Sequence, residues 1–331
     1  MKNKKVAVLI GGWPSEREVS LSTAREVIKS LEELGYSVTP IDVNGNLSQF
    51  VKQIDDAKPD IIYNALHGIG GEDGIIQGAL EMLQIPYTHS GVAASVLAMN
   101  KILSRQIFSH QGIPVPLWKV ISFEELEKSN PMDFPYVIKP VGEGSSRGIN
   151  LVFEEKDRQR AIEQWNNGDQ VLIEGYIKGR EIHVSIIDGK AIGAIEIEVS
   201  SGYYDYEAKY TNGRAKHIMP APLARETYER VLELSERAYH SLGCRSVCRA
   251  DFLYDGAEFY LLELNTQPGM TPFSLVPETV AYYGMTFNDL VQKLVDNACC
   301  DYIPNGSRNL DPKMNLTCLE CAKEPMRLLS A

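Results

Sequence analysis

The first apolar block of the chain, Val6 to Ile10, contains no polar position, the pattern of a strand buried on both faces. Gly11-Gly12-Trp13-Pro14 turns the chain. Ser15 followed by Glu18 predicts a capping box, and Leu21, Ala24, Ile28, Leu31 and Leu34 then recur at helical spacing up to Gly35. Strand patterns return at Val38 to Asp42 and Ile61 to Leu66, with a short helix between. This β-α-β-α-β order predicts a parallel sheet with helices on its faces. Helices are expected over Gly74 to Leu83, Val92 to Met99 and Lys101 to Gln111, and Gly112 to Pro116 reads as a linker.

Beyond the linker the pattern shortens. Strands are expected at Tyr136 to Lys139 and Ile149 to Phe153, flanking the Gly- and Ser-rich segment Pro140 to Gly148. A helix over Lys156 to Asn166 leads to the strand Val171 to Glu174, and Glu181 opens a strand that turns back at Asp188-Gly189 into Ala191 to Ile197. Ser201 to Pro222 is long, polar and holds four tyrosines, which argues for a lid over a site. Val231, Leu234, Ala238 and Leu242 stripe a helix over Thr227 to Leu242. Arg249 to Met270 then predicts two strands joined by a tight turn at Asp255-Gly256, and Ser274 to Val280 and Phe287 to Ala298 predict closing helices. After Asp301 the periodicity fades, and the tail is expected to be loosely ordered.

Composition narrows the classes. The 331 residues, 44% hydrophobic and 23% charged, suit two or three globular domains. A net charge of −11 with no long basic run argues against nucleic acid or an anionic membrane as the main partner. No apolar stretch reaches membrane-spanning length, and the expectation is a cytoplasmic protein. Cys318-x-x-Cys321 with Cys299-Cys300 could make a four-thiolate zinc site, but without a second Cys-x-x-Cys unligated thiols are the favoured reading.

Three places carry candidate chemistry. Strand alternation puts Arg249 and Asp251 on one face of the first strand and Glu263 and Asn265 on one face of the second, so two carboxylates and an amide could converge as the hard-oxygen set that Mg²⁺ takes beside phosphates. The glycines, Ser145 and Ser146 of the central loop can wrap a phosphate, helped by Lys139 and Arg147. The loop lacks the Walker ending. In the first domain, ligands belong outside the carboxyl ends of the strands, where Glu16 and the segment His67 to Gly74 lie. Glu174 is expected at the rim beside a planar base, and Glu181 either on ribose hydroxyls or in water.

These segments, in this order, resemble the D-alanine–D-alanine ligase family of the ATP-grasp superfamily. The motifs are GG-x-x-SEREVS at 11–20, ALHGIGGEDG at 65–74, SGVAAS at 90–95, EGSS at 143–146, YDYEAKY at 204–210, LLELNTQPGMT at 261–271 and SLVP at 274–277. The resemblance implies an α/β ATP-grasp fold. Its parts would be a Rossmann-like parallel-sheet domain over 1–99 and two α+β units clasping ATP, over 100–182 and 183–302, with a lid at 201–222 and a tail at 303–331. It implies that ATP phosphorylates one D-alanine and that a second attacks the acyl phosphate, for peptidoglycan synthesis.

Carried over, Glu16 would hold the first D-alanine's ammonium, with His67 near its carboxylate. Ser145 and Tyr210 would join Glu16 in a hydrogen-bonded triad, and Arg249 with the Gly269 N–H would form the oxyanion hole. Ser274 and Leu275 would hold the second D-alanine. Lys101, Lys139 and Lys209 would contact ATP phosphates, Glu174 the adenine and Glu181 the ribose. Asp251, Glu263 and Asn265 would hold two Mg²⁺ or Mn²⁺. The family tendency is a homodimer through the first domain.

A shared metal site imposes a register. A two-residue turn would pair Cys248 with Glu263 and turn Glu263 away from Asp251. A three-residue connection, Asp255 to Ala257, would pair Arg249 with Glu263. The expectation is therefore the longer connection or a compensating bulge. The rival activities are ligation of D-alanine to D-lactate or D-serine, and a nucleotide-binding regulatory module without turnover. Tyr210 favours D-alanine as acceptor, and the intact acidic and basic set opposes the module.

Overall fold

The computed structural model describes residues 4–13, 16–142, 144, 148–199, 215–271 and 274–302. Strand β1 (Lys5–Gly11) is buried on both faces: Val6 and Val8 enter one core, Ala7 and Leu9 the other. Helix α1 (Arg17–Glu33) follows, with Glu16 at its N-cap and no side-chain cap. The expected Ser15–Glu18 capping box is thereby displaced, since Glu16 is buried towards the neighbouring loops instead; Ser15 itself lies outside the described residues. Strand β2 (Ser37–Val43), helix α2 (Leu47–Ala57) and strand β3 (Ile61–Asn64) complete a parallel sheet of order β2-β1-β3. Helices α3 (Ile75–Leu83), α4 (Val92–Met99) and α5 (Lys101–His110) lead out of this unit.

The second sheet has the order β4-β7-β5-β6, from β4 (Trp118–Ser122), β5 (Tyr136–Pro140), β6 (Asn150–Val152) and β7 (Gln170–Gly175). Helices α6 (Phe123–Lys128) and α7 (Glu155–Gln164) cover it through Leu126 and Ala161. The periodicity reading passed over β4 and α6, although Ser122 and Glu125 form the capping box that their spacing announces.

The third sheet is antiparallel, of order β10-β9-β8-β11-β12. It is built from β8 (Arg180–Ile187), β9 (Lys190–Val199), β10 (Ala215–Ile218), β11 (Val247–Tyr254) and β12 (Phe259–Asn265). Strand β8 straddles the expected boundary at residue 182. Strand β10 falls inside the stretch expected to be a lid, so 215–218 is sheet edge and not loop; residues 200–214 lie outside the described set. Helix α8 (Arg225–Ser241) covers the apolar face through Val231, Leu234 and Ala238. Helices α9 (Leu275–Tyr282) and α10 (Phe287–Asp296) follow. Leu290, Val291, Leu294 and Val295 of α10 return to the first core beside Ala24, Val27 and Leu31 of α1.

The β11–β12 register departs from both simple turns. Tyr254 pairs with Phe259, so the connection is the four residues Asp255 to Glu258. Continued unbroken, that ladder would set Asp251 opposite Leu262 and turn Glu263 to the other face. A bulge at Leu262 shifts the register by one, and Asp251 pairs with Glu263 and Arg249 with Asn265. The expected pairing of Arg249 with Glu263 is corrected accordingly. Burial drives the shift: Leu261 and Leu264 both enter the apolar core although three positions separate them, which an unbroken strand forbids.

A buried ionic group joins the sheets. Arg105 of α5, with no exposed surface, donates to Glu174 of β7 at 2.8 and 2.5 Å and to the Leu261 carbonyl of β12 at 3.0 Å. Lys139 Nζ donates to the other Glu174 oxygen at 2.5 Å. Burial opposes the carboxylate charge, but the two cations outweigh it and hold its pKa to about 2. Arg105→Ala should cost about 3–5 kcal/mol, because it opens a cavity and removes half the counter-charge of a buried carboxylate. The urea midpoint of the variant against the wild type measures this.

Candidate active site

The five-stranded sheet is apolar on the α8 side, and its other face sets Glu181, His183, Asp251 and Arg249 among the apolar Ile187, Ile195, Ile197 and Val247. Register places Asp251 between His183 of β8 and Glu263 of β12, and Arg249 between Ser185 and Asn265. Arg249 forks onto Asp251, Nε to Oδ1 at 2.7 Å and a terminal nitrogen to Oδ2 at 2.6 Å. His183 Nδ1 lies 2.6 Å from Asp251 Oδ1, and its Nε2 lies 2.9 Å from Glu181 Oε1. Burial alone would raise the Asp251 pKa, but Arg249 and His183 pull it well below the carboxylate range. Burial would likewise lower that of His183, yet Asp251 and Glu181 raise it. The result is an alternating line of charges, Glu181–His183–Asp251–Arg249, across β8 and β11.

Loops of the first unit close over this stripe. Glu16 at the head of α1, His67 and Glu72 after β3, Lys101 at the head of α5, and Arg249, Glu263, Asn265 and Gly269 line one cleft, with Gly144 of the Gly-rich loop at its edge. Glu16 lies against Gly68, whose positive φ and bare Cα admit it; a Cβ there would come within 2.6 Å of the Glu16 side chain. His67 Nε2 meets Thr23 Oγ1 at 2.9 Å, and its ring also bonds the Gln267 main chain. Burial holds the His67 pKa to about 4, so its imidazole is neutral at pH 7. Glu72 accepts from the Gly68 N–H at 2.8 Å. Burial, with Glu16 and Glu263 nearby, pushes its pKa up to about 7. Lys101 Nζ is 4.0 Å from Glu263, and burial lowers its pKa.

The loop after β12 is pinned from both sides. Asn64 Nδ2 donates to Gln267 Oε1 at 2.8 Å, and Gln267 Nε2 returns to the Asn64 and Leu66 carbonyls. Gly269 backs onto Ser274, whose Oγ a Cβ would meet at 2.8 Å. Ser274 Oγ also accepts from the Thr271 N–H at 3.0 Å. Leu275 is buried against Ile195, Ile197 and Met219, so its side chain serves packing.

Of the residues singled out by sequence, Glu16, His67, Lys101, Arg249, Glu263, Asn265 and Gly269 share the cleft, and Asp251 adjoins it through Arg249. Glu181 sits at the far end of the charged line, beyond His183. Lys139 and Glu174 stand together in the buried ionic group, so Glu174 is corrected from a rim position to the interior. Ser145, Lys209 and Tyr210 lie outside the described residues, as do Cys318 and Cys321; Cys299 and Cys300 are free thiols. Sequence reasoning missed Arg105, His183 and Glu72. Arg105 lies four positions after Lys101 on one helix, so the shared face was legible. Glu72 stood inside a quoted motif. His183 gains meaning only from the register that sets it opposite Asp251.

The oxygen donors Asp251, Glu263 and Asn265 share one side of the sheet, the chemistry a hard divalent cation requires. Among the described residues no three His, Cys, Asp or Glu side chains gather as a metal site. An ion here would therefore need the Asn265 amide and ligand oxygens besides the two carboxylates.

Comparison with known proteins matches this geometry to one family. The family described as D-ala D-ala ligase C-terminus matches residues 107–296, and D-ala D-ala ligase N-terminus matches 44–90. A D-alanine–D-alanine ligase of Granulibacter bethesdensis is 44% identical over 306 residues, 91% of this chain and 99% of that protein. One of Rickettsia bellii is 47% identical over 298 residues, 89% of this chain and 92% of that protein. Among solved structures, the Bacillus anthracis D-alanine–D-alanine ligase complexed with ATP superposes with a TM-score of 0.76 at 32% identity, covering 89% of this chain and 97% of that one. The VanG D-Ala:D-Ser ligase of Enterococcus faecalis gives 0.74 at 30%, covering 89% and 99%.

The neutral His67 predicts a pH dependence. The unfolded imidazole titrates near 6.5, the folded one near 4, so the unfolded chain binds more protons between those values. This contribution is full above about pH 6.5 and is lost as pH falls, at up to about 1.4 kcal/mol per unit. Urea denaturation of the wild type and His67→Gln at pH 7 and pH 5 should show a shallower acid loss in the variant.

Proposed function

The chain belongs to the D-alanine–D-alanine ligase family, and from that premise we propose that it joins two D-alanine molecules at the expense of ATP, forming D-alanyl-D-alanine for peptidoglycan precursors. The observation that carries the reading is the cleft itself, where a carboxylate at the head of α1 faces a lysine, an arginine and an acidic-amide set across two units.

The residues fit the chemistry asked of them. The Glu16 carboxylate holds the ammonium of the first D-alanine, whose carboxylate takes the γ-phosphoryl group of ATP. Neutral His67 lies beside that carboxylate without forming an ion pair that would blunt its nucleophilicity. Lys101 and Lys139 face the phosphates, and Lys209, outside the described residues, would be the third lysine there. The second amine attacks the acyl phosphate, and Arg249 with the Gly269 N–H receives the charge that develops on the carbonyl oxygen before phosphate leaves. Asp251, Glu263 and Asn265 would hold magnesium or manganese, which supplies counter-charge to the phosphate oxygens. Ser145 and Tyr210, which lie outside the described residues, would complete a triad with Glu16, Ser274 and Leu275 would hold the second substrate, Glu181 lies on the ribose side, and Glu174, held by Arg105 and Lys139, backs the adenine side from the interior. Closure over the cleft keeps water from the acyl phosphate.

The reading places the enzyme in the cytoplasm, where ATP is supplied; no helix among the described residues is long and apolar enough to cross a membrane. Exposed Leu47, Ile75 and Met82 on the first unit support pairing of two chains there. The VanG likeness motivates a second reading, D-serine as acceptor.

Purified protein with ATP, Mg²⁺ and D-alanine should release ADP and dipeptide in equal amounts, and EDTA should abolish both. Faster ADP release with D-serine or D-lactate added to D-alanine would transfer the assignment to that acceptor. Arg249→Lys keeps the charge but loses the planar fork, and turnover should fall by about 100-fold or more.

A further inference from the structure

Among the described residues three carboxylates line the cleft, Glu16, Glu72 and Glu263, and only Glu72 has no role in the ligation so far. The turn that carries it is fixed. The Glu72 and Gly71 N–H groups donate to the Gly68 carbonyl at 3.0 and 3.1 Å. The Gly71 carbonyl accepts from Asn64 Nδ2 and Gln77 Nε2, each at 2.9 Å, and a Cβ on Gly71 would come within 2.6 Å of Leu66. The Gly68 N–H donates to Glu72 Oε1 at 2.8 Å. The same oxygen stands 3.8 Å from where a Gly144 side chain would begin, so the carboxylate reaches from the first unit to the edge of the Gly-rich loop. Glu16, Glu263 and Arg249 lie close enough for their charges to act on it. Those groups surround the acyl carbon in the proposed reaction, so Glu72 stands beside the point of attack. The other candidate bases are engaged. Glu16 holds the first ammonium. Asp251 takes two bonds from Arg249 and one from His183. Glu263 lies beside Lys101 and is assigned to the cation. His67 bonds Thr23 and the Gln267 main chain, and with a pKa of about 4 it is too weak a base.

We propose that Glu72 is the base that takes a proton from the ammonium of the second D-alanine. The inference rests on the function proposed above. At neutral pH the acceptor arrives as an ammonium, which has no lone pair to attack with. One N–H bond breaks, and its proton goes to Glu72. The freed pair forms the C–N bond to the acyl carbon, and the carbonyl pair moves onto the oxygen that faces Arg249 and the Gly269 N–H. When the C–O bond to phosphate breaks, the leaving phosphate takes that pair and the amine's second surplus proton. Glu72 returns its own proton to water as product leaves. A carboxylate suits this task where its charge is disfavoured, because its affinity for protons then approaches the working pH. Burial, Glu16 and Glu263 oppose the charge of Glu72, the Gly68 N–H and Arg249 favour it, and the balance lies at about 7. Lys101 is the further cation on the cleft wall.

The test uses the full chain with ATP, Mg²⁺ and D-alanine, and offers the acyl phosphate two acceptors. D-alanine must lose a proton before it attacks, whereas hydroxylamine, added in excess, is already unprotonated at neutral pH. Glu72→Gln should lower the rate of dipeptide formation by about 100-fold or more, while hydroxamate formation stays within about threefold of wild type. Glu72→Asp keeps a carboxyl group and should lose less dipeptide rate than Glu72→Gln. Equal losses with both acceptors, or a Glu72→Gln variant that keeps its dipeptide rate, would overturn the assignment. The wild type supplies a second readout that needs no variant. Glu72 must be ionised to accept a proton, so at saturating D-alanine the dipeptide rate should fall as pH drops through about 7 and level off above it. A rate that is flat through that range, or that climbs about tenfold per pH unit with no plateau, would equally overturn it. A wild type that releases no ADP with either acceptor would refute the proposed function instead.

Discussion

Two carboxylates stand directly opposite each other across the β11–β12 pair, and like charges in that position destabilise a sheet. Much of the surrounding structure answers this constraint. Arg249 forks onto Asp251 from two positions along its own strand, His183 meets the same carboxylate from the neighbouring strand, and Lys101 reaches towards Glu263 from another unit. A sheet with no ligand to serve would place such residues in water. Here they face a cleft closed by the first unit, where charges interact more strongly because the medium is less polarisable. A cation held between the opposed carboxylates, as proposed above, would relieve that repulsion.

The same cleft depends on how the units are tied. Arg105 spans α5, β7 and β12 in one buried group, Gln267 binds the loop after β12 to the end of β3, and α10 returns to the first core. Three sheets thereby share two buried connections and one helix, while the polar edges between them stay open to ligand. Glu72 and His67 show what that closure does to titration: one carboxyl is pushed up to about 7 and one imidazole down to about 4. Neutral forms of both can then exist beside a substrate that brings its own charges.

Much of this was legible in the residue order. The all-apolar run at Val6 to Ile10 needs two buried faces wherever it sits, and the stripe Val231, Leu234, Ala238 requires a helix against a sheet, because side-chain period and burial are local properties of the chain. The motifs around Glu16, His67, Arg249 and Asn265 likewise marked residues that the fold gathers in one cleft, while their proposed roles came from the family resemblance. What the chain order left open was pairing. A bulge at Leu262 is invisible in LLELN until the core claims both Leu261 and Leu264. His183 is an ordinary strand residue until β8 is set against β11, and Glu174 is an exposed carboxylate until Arg105 and Lys139 arrive from other elements. Alternation and helical period are fixed within a few residues. Register, ion pairing and the pKa values that follow are fixed by neighbours scores of positions away, and only the assembled fold supplies them.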